Sequence, residues 1–301
     1  MNSTIPAESF AANPNRIERP VSSELDSSIG AILIRVGRLS VVDADKVMRF
    51  SIERNLRFGD AAIEMGLLTA ADIELALSRQ YDYPYLLRGE SAISDEVIAA
   101  YEPFTTRVES LRALRNQLMW RWFETSKERR ALAVTSAESG DGRSFLAANL
   151  AVVFSQQHRR TLLIDADMRA PRQHQLFGLE NRAGLSAVLA GRSGHDAIQR
   201  VPALVDLSVL TAGAFPPNPS ELLGRPAFGQ LLRELAVTYD VILIDTPASD
   251  ECSDAQLVAS RAGAAFLVAH QNHSHVKKLR DLLGLLTDAR VHVVGTVLNE
   301  Y

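Results

Sequence analysis

Short apolar runs alternate with amphipathic stretches from residue 130 to the end of the chain. Apolar runs bounded by turn formers predict buried strands, and apolar positions that recur every three or four residues predict helices. The predicted strands cover residues 132–135, 161–165, 207–211, 241–245, 265–269 and 291–298. The clearest predicted helices cover residues 144–155, 226–237 and 276–289. This alternation predicts an α/β fold with a doubly wound, mostly parallel sheet.

An internal repeat precedes this region, between residues 28 and 87. Gly59 and Gly66 of the second copy follow Gly30 and Gly37 of the first, each 29 residues later. Each copy places one helix before its second glycine and a capped, apolar-periodic helix after it. Because short helices need a partner for their apolar faces, we expect the two copies to pack together as a small, mainly α-helical domain.

The remaining segments precede or connect these two regions. Residues 1–27 are rich in Ser, Asn, Pro and Glu without periodicity, and this composition predicts a disordered tail. Residues 88–127 form a connector that ends in a predicted helix, which combines basic residues with two tryptophans. We expect this helix to pack on the α/β domain or on another subunit, with a membrane surface as the less favoured alternative. The α/β domain then occupies residues 128–301.

Composition excludes several classes of protein. The chain has 301 residues, with 47% hydrophobic and 23% charged residues, as soluble domains have. Its net charge of -4 offers no overall attraction to nucleic acid or anionic lipid, so we expect no nucleic-acid partner. A single cysteine, Cys252, excludes a disulfide framework. No signal sequence or membrane-spanning run is recognisable, so we expect a cytoplasmic protein.

The first candidate site follows the strand predicted at 132–135. The segment from Ala137 to Ser144 matches the phosphate loop G-x-x-x-x-G-K-[ST], with Ala137 at the first glycine position and Arg143 in place of the lysine. Such a loop directs backbone N–H groups and a helix N-terminus at phosphate, and Ser144 takes the position of the Mg²⁺-binding hydroxyl. Glycine and aspartate also form ordinary strand–helix turns, so the loop alone does not establish a nucleotide site.

Acidic residues end two other predicted strands. Asp165 and Asp167 stand two positions apart, which places both on the same side of an extended chain. Asp245 ends the strand 241–245, as the Walker B acid that helps to hold Mg²⁺ does. One acid at a strand end is often only a helix cap, but three behind a phosphate loop are hard to explain by capping. The sequence therefore predicts a nucleotide and Mg²⁺ site at the carboxyl edge of the sheet.

Several motifs together resemble those of the bacterial tyrosine kinases. They are the phosphate loop, Asp165-x-Asp167-x-Arg169, Asp245-Thr246-Pro247, the upstream Glu109-x-x-Arg112-x-x-Arg115, and the segments 173–178, 184–191 and 216–223. This resemblance covers about residues 105–300. With the N-terminal repeat included, the chain is most similar to the EpsG type, the chain-length-determinant tyrosine kinase of exopolysaccharide loci.

The resemblance implies ATP and Mg²⁺ as ligands and a role for each matching residue. Backbone amides of the loop would hold the phosphates, and Arg143 would neutralise their charge. Asp165 and Asp167 would hold the metal and orient or deprotonate the acceptor tyrosine, and Arg169 would steady phosphate or the acidic pair, a surface ion pair being the alternative. The implied nucleotide-binding residues are Gly140, Asp141, Gly142, Arg143, Ser144, Phe145 and Arg169, and the implied metal ligands are Ser144, Asp165 and Asp245.

The resemblance also implies partners. Glu109, Arg112 and Arg115 match the subunit-contact motif of the family and predict a homo-oligomer, with a solvated charged face as the alternative. The implied second partner is a separate membrane chain-length-determinant protein, which would recruit the chain to the inner face of the plasma membrane. The chain ends in one tyrosine where the family usually has a cluster, so Tyr301 is the candidate phosphoacceptor.

A second interpretation remains open, namely a nucleotide-dependent assembly switch with little kinase activity. The missing tyrosine cluster favours it, and so does Arg143, because arginine and lysine are not interchangeable at phosphate. The partition and septum-placement ATPases share this fold but carry a second lysine at the position of Glu138. A carboxylate cannot supply that positive charge, so this class is disfavoured.

The N-terminal repeat resembles the N-terminal domain of type II secretion and pilus ATPases. Some of those domains bind cyclic di-GMP through paired glycine–helix motifs. Gln80 matches the glutamine that ends the second motif, but Ser51 occupies that position in the first copy, and Ile29 replaces the expected arginine. We therefore favour a protein-contact module, with cyclic di-GMP binding as the alternative.

Overall fold

A computed structural model of the chain describes residues 28–80 and 85–300. The chain divides into two compact units, Met1–Tyr83 and Pro84–Tyr301. The tail predicted at residues 1–27 and the candidate phosphoacceptor Tyr301 lie outside the described residues.

The described part of the first unit is helical. Its helices are α1 (Ile29–Arg35), α2 (Val41–Arg54), α3 (Phe58–Glu64) and α4 (Ala70–Gln80). Gly37 and Gly66 end the first helix of each copy with φ of 72° and 66°, a backbone conformation that side chains with a Cβ rarely adopt. Helix α1 packs on α4 and α2 packs on α3, so each helix of one copy covers a helix of the other.

The second unit is built on a seven-stranded sheet of order β3-β4-β2-β5-β1-β6-β7. All neighbouring strands run parallel except β3, which pairs antiparallel with β4 at one edge. The doubly wound fold predicted from the sequence is confirmed. The strands are β1 (Ala131–Ser136), β2 (Thr161–Asp165), β3 (Gln199–Arg200), β4 (Leu207–Leu210), β5 (Val241–Asp245), β6 (Ala264–His270) and β7 (His292–Asn299).

Alternate residues of the central strands enter two separate cores. Leu132 and Val134 of β1 belong to the core beneath the helix that follows β1, whereas Ala131 and Ala133 belong to the core on the other face. Both faces are therefore covered, which explains the nearly continuous apolar runs of a buried parallel sheet. The helices of this unit are α5 (Ile98–Tyr101), α6 (Thr106–Leu118), α7 (Arg143–Ser155), α8 (Gln173–Phe177), α9 (Leu185–Leu189), α10 (Pro219–Gly224), α11 (Pro226–Thr238), α12 (Asp254–Ala262) and α13 (Val276–Asp288).

The connector helix packs on the α/β domain. Helix α6 contacts α7 and continues as a π-helical turn, Met119–Phe123. In that turn Trp122 is buried, its Nε1 donates to the carbonyl of Ala131 at 3.0 Å, and its ring stacks on His292. Within the described ranges, no helix is both long enough and apolar enough to cross a membrane.

Candidate nucleotide-binding site

The phosphate loop joins the end of β1 to the start of α7. Gly140 and Gly142 adopt φ of 86° and 90°. A Cβ on Gly142 would lie 2.2 Å from Nδ2 of Asn299, so that side chain would have to shift, and the positive φ would strain any residue with a Cβ. Among the described residues, no side chain caps the first turn of α7, which leaves its amide N–H groups for an anion.

A cavity of about 280 Å³ lies beside this loop. Of the predicted residues, the loop and Asp167 border the cavity, and three residues that the motifs did not identify complete the wall. The lining consists of Ser139, Gly140, Gly142, Arg143, Ser144, Phe145, Asp167, Ala170, Arg172 and Glu251. The loop, a helix N-terminus and an acid thus meet around one open volume, as binding of a phosphate chain with a cation requires.

Arg143 is turned into the loop. Its Nε donates to the carbonyl of Thr246 at 2.8 Å, and its Nη1 donates to the carbonyl of Glu138 at 2.8 Å and to the hydroxyl of Ser136. The side chain is buried, and its charge opposes the rise that burial causes in the pKa of the neighbouring Asp245. The guanidinium therefore ties the loop to the ends of β1 and β5 while bordering the cavity.

Two fully buried carboxylates face each other below the loop. Asp165 and Asp245 are register partners on β2 and β5. Burial and the facing Asp245 carboxylate raise the pKa of Asp165 well above its ordinary value. Burial also raises the pKa of Asp245, although Arg143 and the side chains of Gln173 and Ser144 oppose this effect. Such a pair favours binding of a proton or a cation, because either removes repulsion between like charges.

The two carboxylates differ in their hydrogen bonding. Asp165 accepts backbone N–H groups on both oxygens, from Asp167 at 3.2 Å, Arg172 at 3.1 Å and Gln173 at 3.0 Å. Asp245 accepts only on Oδ2, from the Gln173 amide at 2.7 Å, and its Oδ1 has no hydrogen-bond partner among the described residues. Asp165 therefore shapes the segment after β2, whereas Asp245 retains an oxygen for a ligand.

The next acid along the chain, Asp167, organises a turn beside the cavity. Its Oδ1 accepts the backbone N–H groups of Arg169 at 3.1 Å and Ala170 at 2.9 Å. The Arg169 side chain contacts other residues: its Nε donates to the buried carboxylate of Asp254 at 3.0 Å, and its Nη2 donates to the hydroxyl of Ser220 at 3.3 Å. The structure thus places Asp167 at the cavity, whereas Arg169 does not line the cavity and forms an ion pair with Asp254.

Glu138 is the centre of a group of hydrogen bonds to the phosphate loop, here called the brace, that the sequence motifs do not predict. Its carboxylate accepts from Nζ of Lys278 at 2.8 Å and from the backbone N–H of His275 at 2.6 Å. These bonds, with the Lys278 bond the largest cause, lower the pKa of Glu138 to about 2. Asp141 of the same loop accepts from the Ser274 hydroxyl at 2.6 Å. The segment that follows β6 and the start of α13 therefore hold the phosphate loop in place.

The residues predicted to make subunit contacts occupy different environments. Glu109 is exposed and pairs with Arg112 at 2.9 Å, and Arg112 also donates to the hydroxyl of Tyr85. Arg115 is buried, and its Nη1 donates to the carbonyl of Val153 on α7 at 2.9 Å. The structure brings these residues onto one helix but gives Arg115 a bond within the α/β unit.

The α/β domain of this chain is similar to domains of known proteins. The family model described as the CobQ/CobB/MinD/ParA nucleotide-binding domain matches residues 132–301. The putative tyrosine-protein kinase CapB of Staphylococcus aureus is 37% identical over 199 residues, 66% of this chain and 86% of that protein.

Solved structures show the same similarity. The kinase domain of the Escherichia coli tyrosine kinase ETK is 35% identical with a TM-score of 0.64, over 67% of this chain and 79% of that one. The septum site-determining protein MinD of Pyrococcus horikoshii, solved with Mg-ADP, is 25% identical with a TM-score of 0.51, over 57% of this chain and 70% of that one.

Proposed function

This chain belongs to the family of bacterial tyrosine-protein kinases built on the CobQ/CobB/MinD/ParA nucleotide-binding domain, and on that premise we propose that it is an ATP-dependent protein-tyrosine kinase acting on itself or a partner. The resemblance to bacterial tyrosine kinases inferred from the sequence motifs is thereby confirmed. The resemblance of the N-terminal repeat to the domain of type II secretion and pilus ATPases stays a prediction. The observation that carries the proposal is the meeting of the phosphate loop with Asp165, Asp167 and Asp245 at one edge of the sheet.

The residues present fit a magnesium–nucleotide complex. Asp245 has a buried carboxylate oxygen without a hydrogen-bond partner among the described residues. Burial raises the pKa of this acid, and the nearby hydroxyl of Ser144 is one of the groups that oppose the rise. Magnesium prefers oxygen ligands of this kind and usually keeps several waters. We assign Ser144 and Asp245 as its protein ligands, with Asp165 supporting them from below. When bound, Mg²⁺ supplies positive charge that offsets the charge of the phosphates.

The protein's own groups have separate tasks in phosphate transfer. The N-terminal amides of α7, from Arg143 onward, bind and orient the phosphates, and the Arg143 guanidinium adds positive charge at the cavity wall. Asp167 is the predicted acid that borders the cavity, beside Glu251, and its Oδ1 accepts two backbone N–H groups. We assign its Oδ2 as the acceptor of the proton that leaves the tyrosine hydroxyl.

Membership of this family supports a proposal for the cellular setting. We propose that the kinase regulates polymerisation and export of an exopolysaccharide together with a membrane chain-length-determinant partner. That partner would recruit the chain to the inner face of the plasma membrane. We further propose that copies of the chain associate through α6, where Glu109 is exposed and available to a neighbour. Within the α6 motif, Arg115 would act by fixing the helix to α7.

A second candidate function is a nucleotide-dependent assembly switch with little kinase activity. The specific observation that favours it is the position of Arg143, whose donors are directed at the carbonyls of Glu138 and Thr246. A guanidinium held in this way can stabilise the loop without contributing much to transfer of the terminal phosphate.

Phosphotyrosine blotting of the purified chain, with and without ATP and Mg²⁺, separates the two functions. A kinase gains phosphotyrosine with time only when both ATP and Mg²⁺ are present. Arg143→Lys restores the residue of the phosphate-loop consensus and serves as the matched variant. Nucleotide binding without phosphotyrosine in either protein would refute the kinase and favour the switch.

A further inference from the structure

Gln173 touches three parts of the candidate site at once. It is the first residue of α8 and is fully buried. Its backbone N–H donates to Oδ2 of Asp165 at 3.0 Å. Its side-chain Nε2 donates to Oδ2 of Asp245 at 2.7 Å and to the carbonyl of Ser144 at 3.1 Å. One residue therefore connects the phosphate loop with the ends of β2 and β5.

The orientation of the Gln173 amide is determined by its surroundings. Both groups around Nε2, the Asp245 carboxylate and the Ser144 carbonyl, are acceptors, so a reversed amide would place oxygen against oxygen. The NH₂ group must face them. Oε1 is then buried and has no hydrogen-bond partner within the described part of the chain. Buried acceptors without a donor are rare in native proteins and call for an explanation.

We propose that Gln173 is a positioning residue of the magnesium–nucleotide site. By donating to Oδ2 of Asp245, it fixes the rotation of that carboxylate and leaves Oδ1 free for the ion. By also donating to the Ser144 carbonyl, it keeps Ser144 of the loop at a fixed distance from Asp245 of β5. Its own Oε1 is assigned to accept a hydrogen bond from a water that the ion carries. This inference rests on the proposed nucleotide site.

The position of Gln173 predicts which part of binding depends on it. Gln173 is fully buried and does not line the cavity, whereas the amides assigned to the phosphates belong to the loop that does. Loss of the Gln173 side chain should therefore spare contacts between loop and phosphate. The gain in affinity that Mg²⁺ gives should fall, because the metal ligands lose their common support.

The test is calorimetric titration of the full chain with ADP, once with Mg²⁺ and once with EDTA. Gln173→Met keeps the size of the side chain and removes its donors and its acceptor. We expect roughly a tenfold loss of the Mg²⁺-dependent gain, the scale of one hydrogen bond to a charged group. The affinity in EDTA should stay within about twofold of the wild type. Gln175→Met makes the same replacement at an exposed position of the same helix and should change neither value.

Thermal unfolding without nucleotide accompanies each titration. If Gln173→Met does not fold, Gln173→Asn serves in its place, because it keeps an amide but is one methylene too short to reach both acceptors. A full wild-type gain from Mg²⁺ in a folded Gln173 variant would overturn the positioning role and leave the proposed function intact. A wild-type chain that binds no ADP in either buffer would instead overturn the proposed function.

Discussion

Replacing Arg143 should destabilise the phosphate loop even in the absence of nucleotide. The guanidinium donates to the carbonyls of Thr246 and Glu138 and to the hydroxyl of Ser136, all within the protein. Arg143→Ala removes these bonds and leaves two buried carbonyls to find water. We therefore predict that the variant loses stability of the α/β unit as well as affinity for nucleotide.

The size of the effect follows from the number of bonds. Hydrogen bonds from a charged donor contribute about 1.5 kcal/mol each at the lower end of their range, so three bonds amount to about 4.5 kcal/mol. With a urea m-value of about 3 kcal/mol/M, this loss lowers the midpoint of unfolding by about 1.5 M. Arg143→Lys keeps the charge but has a single terminal nitrogen, so its midpoint should fall between those of the wild type and Arg143→Ala.

Urea unfolding followed by tryptophan fluorescence measures this loss directly. Both tryptophans of the chain, Trp120 and Trp122, belong to the second unit, so the signal reports unfolding of that unit. Arg192→Ala is the matched control, because this arginine of the same unit is exposed. An Arg143→Ala protein with the midpoint and m-value of the control would refute the inward position of the guanidinium.

Three further predictions follow from single contacts. Gly142→Ala should lower the thermal midpoint and the affinity for ADP, because φ is 90° there, while Gly284→Ala on α13 should lower neither. Arg115→Met should lower the free energy of unfolding of the second unit by about 1.5–3 kcal/mol, because its hydrogen bond to α7 is lost. Glu109→Ala, at an exposed position, should leave urea unfolding unchanged but lower the mass in solution that light scattering measures. The pKa of Glu138 is lowered from 4.5 to about 2, so its carboxylate stabilises the fold above pH 4.5 and this contribution is lost as pH falls toward 2. The difference in unfolding free energy between wild type and Glu138→Gln should therefore shrink over that window, and a constant difference would contradict the brace.

The sequence was sufficient for the parts of the fold with a strong local pattern. The central strands β1, β2 and β5 are fully buried, so each appears in the sequence as a continuous apolar run. The observed bounds of the six predicted strands differ from the predicted bounds by no more than one residue. Strand β3 has two residues, too few for any periodicity, and was missed. The phosphate loop and the acids were found because each follows such a strand directly.

The parts of the site that escaped prediction depend on contacts between distant residues. Glu138 meets Lys278 across the sheet edge, and no local motif joins two positions so far apart in the chain. Gln173 begins a short helix and looks like an ordinary surface glutamine until the fold brings Ser144 and Asp245 to its amide. Arg143 was identified from the motif, but its direction was set by carbonyls that only the folded strands supply.

Transfer of labelled phosphate to tyrosine tests the central claim most directly. The full chain is incubated with ATP labelled at the γ-phosphate and Mg²⁺, alone and with a membrane chain-length-determinant protein, and phosphoamino acids are then separated. Asp245→Asn serves as the paired variant, because it removes the buried charge assigned to the metal and keeps the size of the side chain. We predict label on tyrosine in the wild type and its loss in Asp245→Asn. A wild-type chain that binds Mg-ATP yet places no label on tyrosine, with or without the membrane protein, would contradict the account.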